Sequence, residues 1–372
     1  MIDYPLQTGL VQAGVPVEVG QDSGHFWFPS LHQVGDDALV CACIRSADVA
    51  QGKWPADLFV SHDAGGSWRP DQRIDSYGHT SVRDASSTLM MPYEQWPQAP
   101  GDRRNCVAPG NVLTMVDGAL PVEPRDVRVC DFPRPLADYH EDVLRLQHNG
   151  NILRLKDGSL LTTMYGKFDG EEGYNTFAVV SDKGGFAWTY RSTVAGPDAA
   201  PGAPEGPNES NTLRLDNGDL LCVYRVGGRW DFHKSISTDE GQTWSPSVRM
   251  EGMASVQPRL ARLGNGAIVL TGGRPGLFLW LCADGQGEKW ERVNLGEHHN
   301  RLIEPNAGFS DAFCNAQAGE DPAMSTSYTA LMPWGADGLI VAYDRLANGW
   351  AGAPGPNGDV DRVFSLSVTI SI

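Results

Sequence analysis

The chain has 372 residues and a formal net charge of −17, which argues against nucleic acid and an anionic membrane surface as partners. Its 43 Gly, 25 Pro and 11 Trp residues are typical of many short strands joined by turns. No apolar run reaches the roughly 18 residues that a membrane-spanning helix needs. The first residues carry neither a basic stretch nor an apolar signal-peptide core, so we expect a cytoplasmic protein.

Six strand-rich units follow one another along the chain, with approximate bounds 28–70, 78–135, 148–196, 208–250, 256–297 and 324–372. In four of them an Asp-Gly or Asn-Gly dipeptide separates two apolar runs, which is the signal of a two-residue β-hairpin. The four copies are Asp157-Gly158, Asn217-Gly218, Asn265-Gly266 and Asp337-Gly338. The second unit is the least regular, and its Pro- and Asp-rich stretch 94–135 predicts an insertion.

A second repeated signature, Ser-x-Asp-x-Gly-x-(Ser/Thr)-Trp, follows strand-like runs. It is intact at Ser61–Trp68 and Ser237–Trp244, and degenerate copies end at Trp188, with Lys183 in the aspartate position, and at Trp290. The Asp is expected to accept backbone N–H bonds, the Gly to adopt a backbone angle that other residues resist, and the Trp to pack the turn down. All three roles are structural. Repeats of this kind predict an internally repeated all-β fold.

The last residues form a regular alternating strand. Apolar Phe364, Leu366, Val368, Ile370 and Ile372 alternate with Ser or Thr, which is typical of a half-buried strand. If the six strand-rich units are the blades of a closed ring, the two ends of the chain must be joined, and a terminal strand can do this by completing the last blade. The segment 11–19 is the expected partner, and no linker divides the chain.

The predicted topology collects polar residues at one edge of the blades, because the starts of first strands and the ends of second strands share a face. The second strands end at Arg45, Tyr93, Tyr165 with Lys167, Arg225, Arg274, and Asp344 with Arg345. The first strands start near Pro29, His79, Glu209, Gln257 with Arg259, and Tyr328. This set predicts a pocket for an anionic or polyhydroxylated ligand, since arginine recognises carboxylates through paired hydrogen bonds.

The chain resembles the sialidase superfamily over most of its length, and the repeated turn is similar to that family's Asp-box. The resemblance implies one six-bladed β-propeller domain over residues 1–372, closed by its terminal strands. Gly206-Pro-Asn-Glu209, followed by a strand ending at Arg225, is similar to the segment with the glutamate that activates the nucleophile and an arginine that binds substrate. Ser327-Tyr328-Thr is similar to the strand that bears the tyrosine nucleophile.

The proposed pair is chemically consistent. A tyrosine with a pKa near 10 is a poor nucleophile at neutral pH unless a base takes its proton, and the resemblance gives that role to Glu209. Sialidases with a tyrosine nucleophile are exceptions to the two-carboxylate rule of glycosidases. The family's acid/base aspartate lies after the second strand of the first blade, where Asp48 is the first candidate and Asp57 the next.

One family motif is replaced in this chain. Sialidases open the first blade with Arg-Ile-Pro, whose arginine helps to grip the substrate carboxylate, whereas this chain reads Phe26-Trp27-Phe28-Pro29. The resemblance therefore implies an exo-acting glycoside hydrolase on a carbohydrate other than plain sialic acid. Trp27 either stacks on a sugar face or belongs to the core. The expected substrate-binding residues are Arg45, Arg225, Arg274, Arg259, Trp27 and His79.

Two other functions remain open from the sequence. A propeller polysaccharide lyase acting on uronic acids would use a His or Tyr base, for which His25, His79 and Tyr328 are available. A non-catalytic glycan-binding propeller is favoured by the missing motif arginine and disfavoured by the retention of Glu209 with Tyr328.

We expect no cofactor and no metal site. His140 and the pair His298-His299 are weak metal signals, and loop charge accounts for them more simply. Cys41 and Cys43 share one face of a strand and are more typical of a core than of a metal site. The seven cysteines include no Cys-x-x-Cys pair and suit a reducing compartment. The oligomeric state is unknown from the sequence.

Overall fold

In the computed structural model of the protein, the regular secondary structure consists almost entirely of β-strands. It describes residues 1–48, 53–93, 96–140, 142–182, 184–227, 230–317, 320, 322, 324–350 and 359–372. Lys183 lies outside the described residues. The chain forms two compact units: a terminal unit of Met1–Ala47, Pro55–Ile74 and Ala254–Ile372, and a central unit of Asp48–Trp54 and Asp75–Met253.

The terminal unit contains three antiparallel sheets. The 27–74 sheet has the strands Trp27–Val34, Ala38–Ile44, Ala56–Ser61 and Arg69–Ile74. The 259–294 sheet has the strands Arg259–Arg262, Ile268–Gly272, Phe278–Cys282 and Glu291–Asn294. The terminal sheet combines both ends of the chain and has the strands Ile2–Pro5, Leu10–Ala13, Val17–Asp22, Thr329–Pro333, Gly338–Arg345 and Asp361–Ser371.

The last strand, Asp361–Ser371, joins the two ends of the chain as predicted. One of its edges pairs with Gly338–Arg345, and the other pairs with Leu10–Ala13 and Val17–Asp22. Its four side chains Phe364, Leu366, Val368 and Ile370 are buried, and burying each contributes about 2 kcal/mol. Ile372 is exposed because it lies beyond the paired part of the strand.

The central unit contains two sheets. The 208–254 sheet has the strands Asn208–Arg214, Leu220–Arg225, Asp231–Ser237 and Val248–Ala254. The 81–195 sheet has twelve strands: Ser81–Arg83, Ser87–Met90, Trp96–Ala99, Asp102–Thr114, Val122–Cys130, Asp138–His140, Val143–Leu144, Leu146–His148, Leu153–Arg154, Leu160–Gly166, Asn175–Ser181 and Ala187–Ala195.

The second and third predicted units share one sheet instead of forming two. Val122–Cys130 runs parallel to Ala187–Ala195 and pairs with it from Arg128 to Cys130. The inserted stretch of the second unit forms strands of its own, chiefly the hairpin of Asp102–Thr114 with Val122–Cys130. Val122–Cys130 is the outer strand of this hairpin. Its pairing with Ala187–Ala195 satisfies backbone N–H and C=O groups that would otherwise lie at an open sheet edge.

Helices are few and short. The α-helices are Leu295–Asn300 and Asp311–Cys314, and the 3₁₀ turns are Pro197–Ala199 and Pro305–Ala307. Asn294 caps the first α-helix by accepting a hydrogen bond from the backbone N–H of Glu297. Within the described residues, no helix has both the length and the apolar character needed to span a membrane.

The two intact Ser-x-Asp turns have the structural geometry predicted for them. Asp239 accepts hydrogen bonds from the backbone N–H (2.9 Å) and the hydroxyl (2.6 Å) of Thr243. In the other turn, Asp63 accepts the same two bonds from Ser67 at 2.8 and 2.7 Å. Gly241 supplies the required positive φ of 79°. These bonds, led by the Thr243 hydroxyl, lower the pKa of Asp239 to about 2.

Each of these turns is fastened to the neighbouring sheet by one serine. In the central unit, Ser192 accepts the indole N–H of Trp244 at 3.1 Å and donates to the carbonyl of Gly241 at 2.6 Å. In the terminal unit, Ser365 does the same for Trp68 (2.8 Å) and Gly65 (3.1 Å). The repeat therefore includes its docking serine, which the short signature does not contain.

Three of the four predicted Asp-Gly and Asn-Gly hairpins have one more loop residue than predicted, with the predicted glycine in the left-handed region. In the fourth, Gly338 begins a strand and Gly335 is the left-handed glycine. The backbone N–H of Leu155 bonds to Ser159, and the N–H of Gly158 bonds back to Leu155. The same two bonds join Leu215 to Asp219 and Leu263 to Ala267 through their own glycines. These are three-residue loops in which the glycine occupies the left-handed position of a bulge, so the glycine was the informative residue and the loop length was wrong.

We expect Asp239→Ala to lower the free energy of unfolding by about 1 kcal/mol, since it removes a cap of backbone donors. The pKa of Asp239 is depressed in the folded protein, so its contribution is complete above its ordinary value of 3.8 and is lost as the pH falls through about 2. Urea unfolding at several pH values measures this, with exposed Asp37→Ala as the control. Equal stability of the two variants at neutral pH would contradict the structural role.

Candidate functional site

Close to the start of the first strand, three sheets have a left-handed residue that is not glycine. The φ values are 50° at Phe28, 38° at Glu209 and 45° at Gln257. At Phe28 and Glu209 the register with the next strand shifts by one residue, as at a β-bulge. Bulky residues rarely adopt this conformation, and such strain is concentrated at functional sites.

In the central unit, Glu209 forms a buried ion pair with Arg225. A carboxylate oxygen of Glu209 lies 3.0 Å from the guanidinium, and the two side chains are only 4% and 12% exposed. A second carboxylate, that of Glu205, lies 3.4 Å from the same guanidinium. Asn208 pairs directly with Arg225 in the sheet, so the strand register itself brings the two charges together.

Aromatic side chains of the central unit surround this pair. Burial raises the pKa of Tyr165 well above its ordinary value of 10.0, and the nearby Tyr93 and Glu209 raise it further. The hydroxyls of Tyr165 and Tyr93 are 3.5 Å apart. His79 packs edge-on against Tyr93, bonds through Nδ1 to the hydroxyl of Tyr77 at 2.9 Å, and is buried.

An exposed tryptophan lies at the same edge of the 208–254 sheet. Trp230 is 45% exposed and immediately precedes Asp231–Ser237, the strand that pairs with the one ending at Arg225. An exposed indole of this kind is suited to stacking on an apolar sugar face. The sequence interpretation overlooked it because it lies in neither a first nor a second strand.

In the terminal unit, Tyr328 belongs to a stack of aromatic rings. Phe28 stacks on Tyr328 with a centroid distance of 4.2 Å, and Trp27 stacks on Phe28 at 4.5 Å. His25 stacks on Trp27 at 5.1 Å, and the indole N–H of Trp27 donates to the carbonyl of Ser46. Trp27 is buried and is involved in orienting this stack.

One buried carboxylate holds the backbone of the two chain segments whose rings, Phe28 and Tyr328, stack on each other. Asp344, which is fully buried, accepts hydrogen bonds from the backbone N–H of Phe28 (2.9 Å) and of Ser327 (2.5 Å). It also accepts the hydroxyl of Thr326 at 2.8 Å. Burial raises the pKa of Asp344 to about 6, although these bonds act in the opposite direction. A lone carboxylate at the end of an apolar strand was the sequence signal for this role.

The predicted arginines of the terminal unit have partners in the protein. Arg45 lies 2.7 Å from Asp22 and 3.4 Å from Asp57. Arg274 donates to the hydroxyl of Ser327 at 3.1 Å and lies over the ring of Trp350 at 4.2 Å. Arg259 and Arg274 are both buried. Arg274 therefore adjoins the segment that carries Tyr328.

The two candidate acid/base aspartates differ in their surroundings. Asp48 is exposed, as a group that protonates a departing sugar oxygen must be accessible. Asp57 is bound by Arg73 through two hydrogen bonds of 2.6 and 3.1 Å, and Arg45 lies on its other side. This network leaves Asp48 as the better candidate of the two.

The weak metal signals have structural explanations. His298 bonds to the hydroxyl of Tyr4 and the carbonyl of Gly14, and His299 bonds to Tyr343 and Ala307. Both histidines are buried in the helix Leu295–Asn300. Cys41 and Cys43 belong to the core. Within the described part of the chain, no group of three or more His, Cys, Asp or Glu residues is arranged to hold a metal ion.

Solved structures with the same fold include glycosidases. The chain is similar to a protein of unknown function from Dyadobacter fermentans DSM 18053, at 15% identity and a TM-score of 0.68 over 97% of this chain and 99% of that chain. It is similar to the α-L-arabinanase of Penicillium chrysogenum solved with arabinobiose, at 15% identity and a TM-score of 0.58 over 96% and 98%. It is also similar to the Hadza microbial sialidase Hz136, at 11% identity and a TM-score of 0.58 over 92% of this chain and 65% of that chain.

No protein-family model and no curated protein sequence matches the chain. The structural similarities confirm the fold resemblance, because sialidases and arabinanases are β-propeller glycosidases with this all-β fold. The closure of six blades into one ring, and their grouping as one domain over residues 1–372, stay predictions.

We expect Arg225→Met to lower the free energy of unfolding by about 3 kcal/mol, because it leaves the buried Glu209 carboxylate without its nearest cation. Adding Glu209→Gln removes that charge and should restore part of the loss. Urea unfolding of the two single variants and the double variant measures the coupling. Additive effects would contradict a direct energetic link between the two side chains.

We expect Asp344→Asn to lower the free energy of unfolding by about 2 kcal/mol at neutral pH, since one acceptor oxygen becomes a donor among buried donors. Because the folded-state pKa is raised, the contribution of protonated Asp344 is complete below 3.8 and is lost as the pH rises through about 6. The Asp344→Asn variant should therefore lose less stability as the pH rises through this range. Part of the pH dependence should remain, because the pKa of Asp361 is also raised to about 6. Unfolding curves against pH, with Asp37→Asn as control, test this, and an unchanged pH dependence would contradict it.

Proposed function

We propose that the protein is an exo-acting glycoside hydrolase of the sialidase superfamily whose substrate is a sugar other than plain sialic acid. The observation that carries this proposal is the buried Glu209–Arg225 pair at a strained strand start. The similarity of the fold to an arabinanase and a sialidase supports the reaction class. The assignment of Tyr328 and Asp48 rests on the family resemblance.

In the mechanism that the family resemblance implies, Tyr328 is the nucleophile and Glu209 its base. Glu209 takes the phenolic proton while the tyrosine oxygen bonds to the anomeric carbon and the glycosidic bond breaks. Asp48 gives a proton to the departing sugar oxygen and then takes one from the water that releases the product. Asp344 is a positioning residue, because it acts through the backbone of Phe28 and Ser327.

The charges around each predicted arginine, taken within its own unit, favour a neutral, polyhydroxylated sugar. Arg225 is bound by Glu205 and Glu209, and Arg45 by Asp22 and Asp57. A guanidinium already paired with carboxylates is a weak ligand for a substrate carboxylate, but its remaining N–H groups can bind hydroxyls. The replacement of the motif arginine by Trp27 points in the same direction.

The remaining predicted residues have supporting roles in this proposal. Arg274 and Arg259 are proposed to bind sugar hydroxyls beside the Tyr328 segment. His79 is proposed to orient Tyr93 through its edge-on contact, and Trp27 to fix the aromatic stack. Trp230 adds an exposed platform on which a sugar ring can stack.

We expect Tyr328→Phe and Glu209→Gln each to reduce kcat on an aryl glycoside substrate by about a thousandfold or more, with a small change in KM. Release of nitrophenol from a panel of nitrophenyl glycosides, including the α-L-arabinofuranoside and the sialoside, measures this. Tyr343→Phe is a matched control, since it removes one buried tyrosine hydroxyl from the same sheet.

The panel also separates the alternatives. Uronate-containing oligosaccharides are incubated in parallel, and absorbance of unsaturated uronate is followed. Formation of unsaturated uronate would show that the protein is a lyase and not a hydrolase. Binding of a glycan without any turnover would leave a glycan-binding protein.

A further inference from the structure

Two cationic residues of the central unit flank the strand ends of the 81–195 sheet that correspond to the strand ends carrying Glu209 and Arg225 in the neighbouring sheet. Arg145 immediately precedes the first strand Leu146–His148, and Lys167 immediately follows the second strand Leu160–Gly166. Leu146 pairs with Gly166, as Asn208 pairs with Arg225 in the 208–254 sheet. The same edge thus carries an arginine paired with carboxylates in one sheet and, one residue beyond the last strand pair, two positive charges in the next.

A closed set of backbone hydrogen bonds fixes these two residues. The N–H of Lys167 bonds to the carbonyl of Arg145 (3.2 Å), and that of Arg145 to the carbonyl of Ala137 (2.8 Å). The N–H of Ala137 bonds back to the carbonyl of Lys167 at 2.8 Å. Three chain segments are therefore tied at one point, and the two cationic side chains start from a rigid base.

Two tyrosine rings frame the cations. The guanidinium of Arg145 lies over Tyr139 at 4.5 Å from the centroid, and the ammonium of Lys167 lies over Tyr174 at 4.6 Å. Arg145 also donates to the hydroxyl of Tyr174 at 3.3 Å. All four side chains are half-buried, so they are ordered by packing and still accessible.

The protein does not neutralise this pair at close range. Among the described residues, no carboxylate oxygen lies within 4.0 Å of either cationic group. Nearby Arg134 stacks in the same way on Phe168 but is paired with Glu171. The ammonium of Lys167 donates to the backbone carbonyl of Glu172. Burial and the charge of Arg145 lower the pKa of Lys167, while the carboxylates of Glu205 and Glu172 act on it only at longer range. An anion bound between the two cations would relieve their repulsion.

The cationic pair adjoins the Glu209–Arg225 pair. Glu205 binds Arg225 and its charge also acts on Lys167. Tyr165 packs edge-on against Tyr174 at 5.3 Å, and the charge of Glu209 acts on Tyr165. A saccharide bound at Glu209 is therefore within reach of the tyrosines that frame Arg145 and Lys167.

We propose that Arg145 and Lys167, framed by Tyr139 and Tyr174, form a subsite for an anionic group carried by a saccharide, either a uronate carboxylate or a sulfate ester. The inference rests on the proposed function for its carbohydrate ligand. Arginine offers paired donors to such an oxyanion, lysine adds a point charge, and the tyrosine rings contact the sugar. The substrate class becomes an acidic glycan whose terminal, cleaved unit is neutral.

Binding of two matched ligand pairs tests the subsite by calorimetry with the full chain. One pair is trigalacturonate and its methyl ester, and the other is a sulfated disaccharide and its unsulfated form. We expect at least one charged member to bind about tenfold more tightly than its neutral partner. We expect this preference to weaken as NaCl rises from about 0.05 to about 0.5 M. The pair that shows the preference identifies the anionic group.

Variants locate the preference. Arg145→Gln with Lys167→Gln should abolish it, whereas Arg145→Lys with Lys167→Arg should retain it. Arg134→Gln is the matched control, because that arginine also lies over an aromatic ring but has a carboxylate partner. If the double glutamine variant fails to fold, Lys167→Gln alone should reduce the preference by about threefold.

Three results would overturn the inference: equal binding within both ligand pairs, a preference that survives the double glutamine variant, or no binding of either charged ligand up to about 5 mM. The assay needs no turnover. A charge preference without hydrolysis of any substrate would refute the proposed function alone, and hydrolysis without a charge preference would refute this subsite alone.

Discussion

A carboxylate that is removed from water must be paired with a cation or surrounded by donors, and this constraint shapes both candidate catalytic regions. Glu209 meets it through Arg225, and Asp344 meets it through backbone and hydroxyl donors around Tyr328. In both cases a left-handed residue, Glu209 itself or Phe28, is the second residue of the first strand. A bonded, buried carboxylate and a strained backbone residue thus occur together in both regions.

The edge of the central unit divides charge between two neighbouring sheets. At corresponding strand ends, the 208–254 sheet carries Glu209 with Arg225, and the 81–195 sheet carries Arg145 with Lys167. A sugar hydroxyl is suited to the first pair and an oxyanion to the second. In a chain of net charge −17, local pairing rather than overall charge therefore decides what this edge attracts.

The parts of the fold that were predictable depend on short-range interactions. The Asp63 and Asp239 turns, the left-handed glycines and the alternating last strand are each specified within about ten residues. The parallel pairing of Val122–Cys130 with Ala187–Ala195 was not predictable, because strand partners far apart in sequence leave no local signal. The same holds for Ser192 and Ser365, which fasten the turns from distant strands.

The sequence by itself determined an all-β repeat and the strand ends at which Glu209, Arg225 and Tyr328 lie, because residue periodicity and turn chemistry are local. The sequence also placed Lys167 at the end of a second strand, but it did not indicate that Arg145, Tyr139 and Tyr174 lie beside it. Only the tertiary structure decided which charges are neutralised. Arg45 and Arg225 form ion pairs with carboxylates, whereas Arg145 and Lys167 lie over aromatic rings. The physical reason is that an ion pair depends on distance in space, which the order of residues does not specify.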